Sequence, residues 1–435
     1  MPIGSKLSAN KKNKRVIFLD DYNVTLSIVI NNKGTTMVNK NFMTILPLIL
    51  LIIHMFFAGC NNISNGQDNE SPVITLEGFD PLYLGLKNTY IEPGASAADN
   101  VDGDITVDQF TIDASSIDNT KTATYYVNYS VSDSAGNQAD TTRTVKVVGE
   151  NISSITYAGC RESITGTTNQ WTNMSLFPKP KEWEYMLKNM SGFYGGNAIP
   201  SALWIVGEMG TDSCCHLCFP SDGSTHKYMT FETSDYFEGC LSHFDTTGIK
   251  VFLQVEPGFS SITELMDITM TRYGSHGCIV GFGVDVEWYE SVDWDDTNGE
   301  DHFSVISDSD AQAWETKIKS FNSSYRLFLK HWRTDILPPS YRGNIIFIDD
   351  AQGFNNLNTL AETFAQWADH YSPNPVMYQI GYERDKTWWN SYENPPLTVG
   401  KEIAEWISNS SQVVGMFWVD FTLRDDKVKS FFFIK

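Results

Sequence analysis

The stretch IVGFGVDVEWYE, residues 279–290, closes an apolar, β-branched run with Asp285 and Glu287. Alternate side chains of a strand share a face, so these two carboxyls and Tyr289 are expected to project together. An unpaired charge in a dry core is costly, so such acids are either a structural ion pair or working groups. As working groups they suit proton transfer. Like charges held close raise one pKa, which keeps one carboxyl protonated while its neighbour stays ionised. Further polar groups end other strand-like runs: Glu208, Glu256, Asp349 with Asp350, Gln379 and Asp420. Of these, Glu208 and Asp350 are expected to cap helices or solvate loops.

The segments that carry these groups alternate in type from about residue 155. SITYAGC, SALWIVGEM, KVFLQVEPG, IVGFGVDVEWY, NIIFIDDAQG, PVMYQIGY and QVVGMFWVDF read as strands. EWEYMLKNMSGFY, SSITELMDITMTRYG, DAQAWETKIKSFNSSYRLFLKHW and LNTLAETFAQWADHY read as amphipathic helices between them. Near-continuous apolar strands with helical crossovers predict a parallel sheet covered by helices. Over 151–435 this predicts a β/α barrel of the TIM type, with the polar strand ends gathered at its C-terminal mouth. Seven strands are read directly; an eighth is sought in KSFFFIK or before residue 181, or the barrel is irregular.

Residues 72–149 follow another pattern. Short alternating strands are split by Pro, Gly and Asp/Asn turns with no helical period, which predicts an all-β sandwich of immunoglobulin size. Asp99, Asp102, Asp104 and Asp133 within it are read as turn-formers rather than calcium ligands. The chain as a whole is therefore multidomain, an all-β Ig-like sandwich followed by an α/β barrel, each expected to fold by itself. Residues 37–59 have the layout of a secretory signal, basic Lys40 then an apolar run ending Ala58-Gly59, before Cys60. Residues 1–36 read as an extension from an upstream start, and 60–71 as a polar flexible tether. The six other cysteines, three of them in CCHLC, permit disulfides of unreadable connectivity. No metal and no cofactor is assigned. With 53 Asp+Glu against 31 Lys+Arg and a formal charge of -22, the chain excludes nucleic acid as a partner. Its 12 tryptophans favour a carbohydrate instead; Trp388 and Trp389 in ERDKTWWNSYENPP are a candidate sugar platform.

Three resemblances extend this reading. EPGASAADNVDGDIT and YSVSDSAGNQADTTRTVKVV resemble a bacterial Ig-like surface module, which implies a spacer or adhesive role. Ala-Gly-Cys60 resembles a lipobox, which implies export and a lipid anchor on Cys60 in the cell envelope, at the outer or cell surface. GVDVEWY, VMYQIGY (the sixth strand in this reading) and GMFWVDF resemble strands of family 18 glycoside hydrolases, the chitinases and their relatives. That resemblance implies that Tyr378 bonds a substrate acetamide and that Trp418 floors a sugar subsite. In register, Tyr289 falls where that family has its catalytic Glu, and Phe282 replaces its first Asp. The expected function is hydrolysis of an extracellular polysaccharide, N-acetylhexosamine among the candidates. Asp285, Glu287 and Tyr378 are then catalytic, and Tyr289, Asp349, Gln379, Trp388, Trp389, Trp418 and Asp420 bind substrate. The alternative is a non-catalytic carbohydrate-binding adhesin on a degenerate barrel.

Overall fold

The computed structural model describes residues 29–30, 36–37, 68–168, 178–210, 212–291 and 304–434. The chain divides into two compact units, Met1–Asp68 and Asn69–Lys435. Within the first, Val29–Ile30 pairs antiparallel with Thr36–Met37. The expected apolar signal run and Cys60 lie outside the described residues, as does most of the acid-rich loop after Glu290. No described helix is long and apolar enough to cross a membrane.

The second unit opens with seven strands: β1 (Val73–Leu76), β2 (Leu82–Gly85), β3 (Ala95–Asp99), β4 (Gly103–Ile105), β5 (Thr111–Asp113), β6 (Ala123–Ser132) and β7 (Gln138–Val148). They form a three-stranded sheet, β1-β3-β4, and a four-stranded sheet, β2-β7-β6-β5. The alternation in β6 shows the cause, since Val127, Tyr129 and Val131 are buried while their neighbours are not. Asp99 makes turn contacts, accepting from the Val101 and Asp102 amides at 2.7 and 2.9 Å.

Eight parallel strands follow and close on themselves: β8 (Ile155–Glu162), β9 (Ile199–Met209), β12 (Lys250–Val255), β13 (Ile279–Asp285), β14 (Arg326–Lys330), β15 (Ile346–Asp349), β16 (Val376–Ile380) and β17 (Val414–Val419). β10 (Cys215–Leu217), antiparallel to β9, and β11 (Met229–Phe231), parallel to β10, continue the sheet outward from the C-terminal end of β9. Six of the seven connections between successive barrel strands contain an α-helix; the β14–β15 connection has none among the described residues. The helices the site depends on are α1 (Ile164–Thr168), α2 (Pro180–Phe193), α5 (Asp308–Phe321) and α6 (Leu357–Tyr371), counting in chain order. In α6, Asn356 caps the Thr359 amide at 3.0 Å, and Leu357, Leu360, Ala361, Phe364 and Ala368 form its buried stripe.

The eighth strand is β14, RLFLK, and neither of the places where it was sought. The sequence reading ran one helix from 310 through 332. The structure ends α5 at Phe321, where the Asn322 side chain accepts from the Ser324 amide at 3.0 Å and turns the chain. KSFFFIK instead holds a short helix, Lys429–Phe432, and VMYQI becomes the seventh barrel strand. The expected disulfides are also corrected: all six described cysteines are free. Five of the six are buried, and the Cys218 and Cys278 thiols face the carbonyls of His216 and Leu241.

The sandwich and the barrel share a core. Tyr185 of α2 is buried in the sandwich's apolar cluster, and Ile434 packs against it. Asn189, fully buried on the same helix, accepts from the Gly85 amide at 2.7 Å and the Asn88 side chain at 2.8 Å. It donates to the carbonyls of Tyr83 and Phe431 at 3.0 and 2.6 Å. The two parts therefore meet through a buried, hydrogen-bonded joint.

Candidate functional site

The barrel interior changes character between one layer and the next. Its lower layer is apolar: Leu203, Phe252, Phe328, Ile346, Ile348, Met377 and Phe417 form one cluster. Phe252 meets both Phe328 and Phe417 at 6.3 Å, contacts between non-adjacent strands that only the inside of a barrel allows. Gly283 is required there, because a Cβ on it would stand 2.0 Å from the Phe328 ring. One period further along the strands, two residues on, the same face carries Gln254 after Phe252, Asp285 after Gly283, Lys330 after Phe328 and Gln379 after Met377. A polar layer therefore lies on an apolar one, at the C-terminal ends of the strands.

Above this layer opens a cleft of ≈ 470 Å³, lined by Arg161, Glu208, Glu256, Asp285, Glu287, Lys330 and Asp350, with Trp288, Tyr382 and Phe421 as its aromatic walls. Lys330 organises it. Its ammonium lies 2.9 Å from Asp285 and 3.8 Å from Glu287, and it bonds Asp350 more closely still. Gln254 donates to the same Asp285 oxygen at 3.1 Å. Across the cleft Arg161 is held by Asp420 at 2.6 Å, and Asp420 also accepts from the Ser163 amide and hydroxyl, each at 2.9 Å. Phe421, 39% exposed, covers the Arg161 guanidinium at 5.0 Å.

Burial and crowding separate the acids. Burial pushes the Glu287 carboxyl up to about 8; Lys330 opposes this, and the charges of Asp285, Asp350 and Glu256 add to it. Glu256 is likewise pushed up to about 8 by burial and by the neighbouring Asp285 and Glu208. Asp285 is raised by burial but held by Lys330, and comes to about 6. Burial works against the Lys330 charge, yet Asp285, Asp350 and Glu287 keep it well above the usual lysine value. Burial thus raises Glu287 further than Asp285, which Lys330 holds down, the direction that lets one carboxyl keep its proton beside an ionised neighbour. Several buried polar atoms around it lack a hydrogen-bond partner: Gln254 Oε1, Asp285 Oδ1, Asp350 Oδ1, Arg161 Nε and Gln379 Nε2. Such atoms cost stability unless a polar ligand meets them.

Of the residues expected from sequence, Asp285 and Glu287 line the cleft, and Asp420 supports it from behind through Arg161. Glu287 arrives differently than expected. The strand stops at Asp285, and a 3₁₀ turn, Val286–Trp288, carries Glu287 and Trp288 over the mouth. The turn ends the alternation, so Tyr289 leaves the cleft and packs edge-on against Trp314 of α5 at 5.4 Å. Tyr378, Trp418 and Asp349 have the opposite parity to the inward positions and face the helices. The Tyr378 hydroxyl donates to the Phe364 carbonyl at 2.6 Å, and its ring stacks on Phe364 at 4.5 Å. Trp418 donates to Thr422 at 2.9 Å and packs on Trp389 at 5.4 Å; Asp349 accepts from the Ala351 amide at 2.8 Å. Gln379 faces inward beneath the cleft and accepts from the Tyr382 hydroxyl at 2.9 Å. Trp388 and Trp389 are buried, their indole N–H groups on the carbonyls of Phe354 and Tyr382 at 3.0 and 2.9 Å. Asp350, expected to serve a loop, instead pairs with Lys330. Glu208 does accept from the Thr165 amide at the start of α1, at 2.9 Å, but also lines the cleft. The sequence reading missed Lys330, Arg161, Trp288, Tyr382 and Phe421; a lone Lys ending an apolar pentapeptide was the available signal.

Residues 74–147 match the family described as bacterial surface protein, Ig-like domain. This match supports a cell-surface location. No curated protein matches the chain. Among solved structures, a lipoprotein from Bacteroides thetaiotaomicron is similar at 26% identity, over 20% of this chain and 41% of that one, with a TM-score of 0.17. A β-glucuronidase of Parabacteroides merdae is 7% identical over 68% of this chain and 36% of its own, with a TM-score of 0.35. One from Bacteroides uniformis is 10% identical over 68% and 35%, also at 0.35. The chain spans less than half the length of each. At such scores these likenesses carry no argument, and the functional reading rests on the cleft.

Proposed function

We propose that the protein is a glycoside hydrolase of the bacterial cell surface, acting on an extracellular polysaccharide from the mouth of a TIM-type β/α barrel. The observation that carries this is the convergence of the Glu287 and Asp285 carboxyls on Lys330 at the floor of one open cleft. Glu287 is the general acid that protonates the leaving glycosidic oxygen. Asp285, whose buried Oδ1 has no hydrogen-bond partner, stabilises the positive charge that develops on the sugar ring. Trp288, Tyr382 and Phe421 present the apolar faces against which a sugar ring stacks. The acetamide-assisted chemistry implied by the family 18 resemblance is not part of this proposal, because Tyr378 is engaged with α6. Attachment through a lipid on Cys60 is proposed from the sequence alone.

Glu287→Gln tests the reading, since it keeps the shape and removes the transferable proton. Turnover is expected to fall roughly 100- to 10,000-fold while glycan binding persists. An unchanged rate removes Glu287 from the mechanism. A second reading, a non-catalytic glycan binder, is favoured by one contact: Lys330 and Gln254 already occupy Asp285 Oδ2. Wild-type protein that binds glycan without hydrolysing it establishes that reading instead.

A further inference from the structure

Beside the cleft, on the hairpin lobe above the end of β9, two large aromatic side chains stand in solvent. Tyr228 is 40% and Phe259 39% exposed, and their rings meet at 5.7 Å. The lobe lies on the mouth side, because β10 runs back along Gly207–Met209 and Met229, next to Tyr228, pairs with Cys215 at that end. It is also continuous with the cleft wall. Gly258 bridges to Tyr289, so Phe259 and the cleft-lining Trp288 sit on paired segments. The Tyr228–Phe259 pair thus stands on a segment bridged to the one that carries Trp288.

The backbone holds the pair in place at a cost. Four described non-glycine residues have a left-handed φ, and three surround this lobe: Ser213 (60°), Tyr228 (59°) and Glu290 (54°). Each is clamped or adjoins a clamp. The Tyr228 carbonyl accepts from the Cys215 amide at 2.9 Å and the Ser260 hydroxyl at 2.5 Å; the Ser213 carbonyl accepts from the Phe259 amide at 3.0 Å; the Glu290 amide donates to Gly258 at 2.9 Å. Gly258 itself has φ 53°, and a Cβ there would lie 2.2 Å from the Ser213 carbonyl. Strain of this kind persists only where the surroundings over-determine it, and here it fixes two exposed rings, that of Tyr228 with the Lys227 ammonium over one face at 4.6 Å.

We infer that Tyr228 and Phe259 form a second sugar-ring platform that prolongs the cleft away from the reacting bond, so that the substrate is a chain of several sugar units. This rests on the glycosidase reading for its chemistry but not for its binding. The full chain and its Tyr228→Ala and Phe259→Ala variants are run in native gels containing β-glucan, xylan, mannan or glycol chitin. Phe321→Ala, an exposed ring on α5, serves as the control. The wild type and the control are expected to be retarded by at least one polysaccharide, and each platform variant to be released. On the hexasaccharide of that polymer relative to its aryl monoglycoside, kcat/KM is expected to fall about three- to tenfold in the platform variants. Retardation lost in the variants without hydrolysis by any form leaves the platform standing and ends the glycosidase reading. Variants retarded like the wild type, or a wild type retarded by none of the four polymers, overturn the platform.

Discussion

Replacing Lys330 with Met removes the charge on which three carboxyls converge. At 2.9 Å and an effective dielectric of about 20, the Lys330–Asp285 attraction is about 6 kcal/mol before desolvation is counted. Most of that is offset by burying the two ions, but removing one partner leaves Asp285 and Asp350 as uncompensated charges, both nearly inaccessible. The expected loss is roughly 3–5 kcal/mol at pH 7. Its pH dependence has a definite sign. Lys330 has a raised pKa, so its own contribution is complete and constant below the usual lysine value. In the variant Asp285, which burial raises even with Lys330 present, has a folded pKa above its unfolded one, so the penalty exists at neutral pH and fades as it takes up a proton on acidification. Urea unfolding followed by tryptophan fluorescence at pH 7 and pH 5 measures both, and Lys330→Met/Asp350→Asn should recover part of the loss. A Lys330→Met protein as stable as the parent at pH 7, or a deficit that does not shrink toward pH 5, refutes this account of the site.

Hydrolysis should follow a bell-shaped pH profile, rising through about 6 as Asp285 ionises and falling through about 8 as Glu287 does; a flat profile from pH 5 to 9 contradicts the assignment. Tyr378→Phe should cost about 1 kcal/mol through the lost bond to Phe364 and leave turnover within about twofold of the parent. A hundredfold fall in turnover would return Tyr378 to the reacting centre.

Sequence made the site legible where polarity interrupts an apolar run, and illegible where two residues of a run compete for one face. GVDVEWY has a single polar pattern, so Asp285 and Glu287 were found. VMYQI offers both Tyr378 and Gln379, and the resemblance chose the tyrosine; the inward parity belongs to Met377 and Gln379. The same one-residue choice separates Phe417 from Trp418 and Ile348 from Asp349. β14 was lost for another reason: its five residues continue the apolar spacing of α5, and only the short Asn322-Ser-Ser turn divides them. With β14 went Lys330, the cation on which Asp285, Glu287 and Asp350 converge. Alternation fixes which face a residue takes only after the strand's position in the barrel is known, and that comes from neighbours far along the chain.

The buried Asn189 joint makes the sandwich a handle rather than a bead on a string. A protease that nicked the short link between β7 and β8 would release nothing, because Tyr185 and Ile434 would still lie in the sandwich's core. Nor could another module be spliced in at Gly149 without supplying partners for all four polar contacts of Asn189 and the close approach of its helix. The mouth of the barrel therefore points in one fixed direction relative to the sandwich, as a tool does on its shaft, and substrate chains meet it at an angle set by that joint.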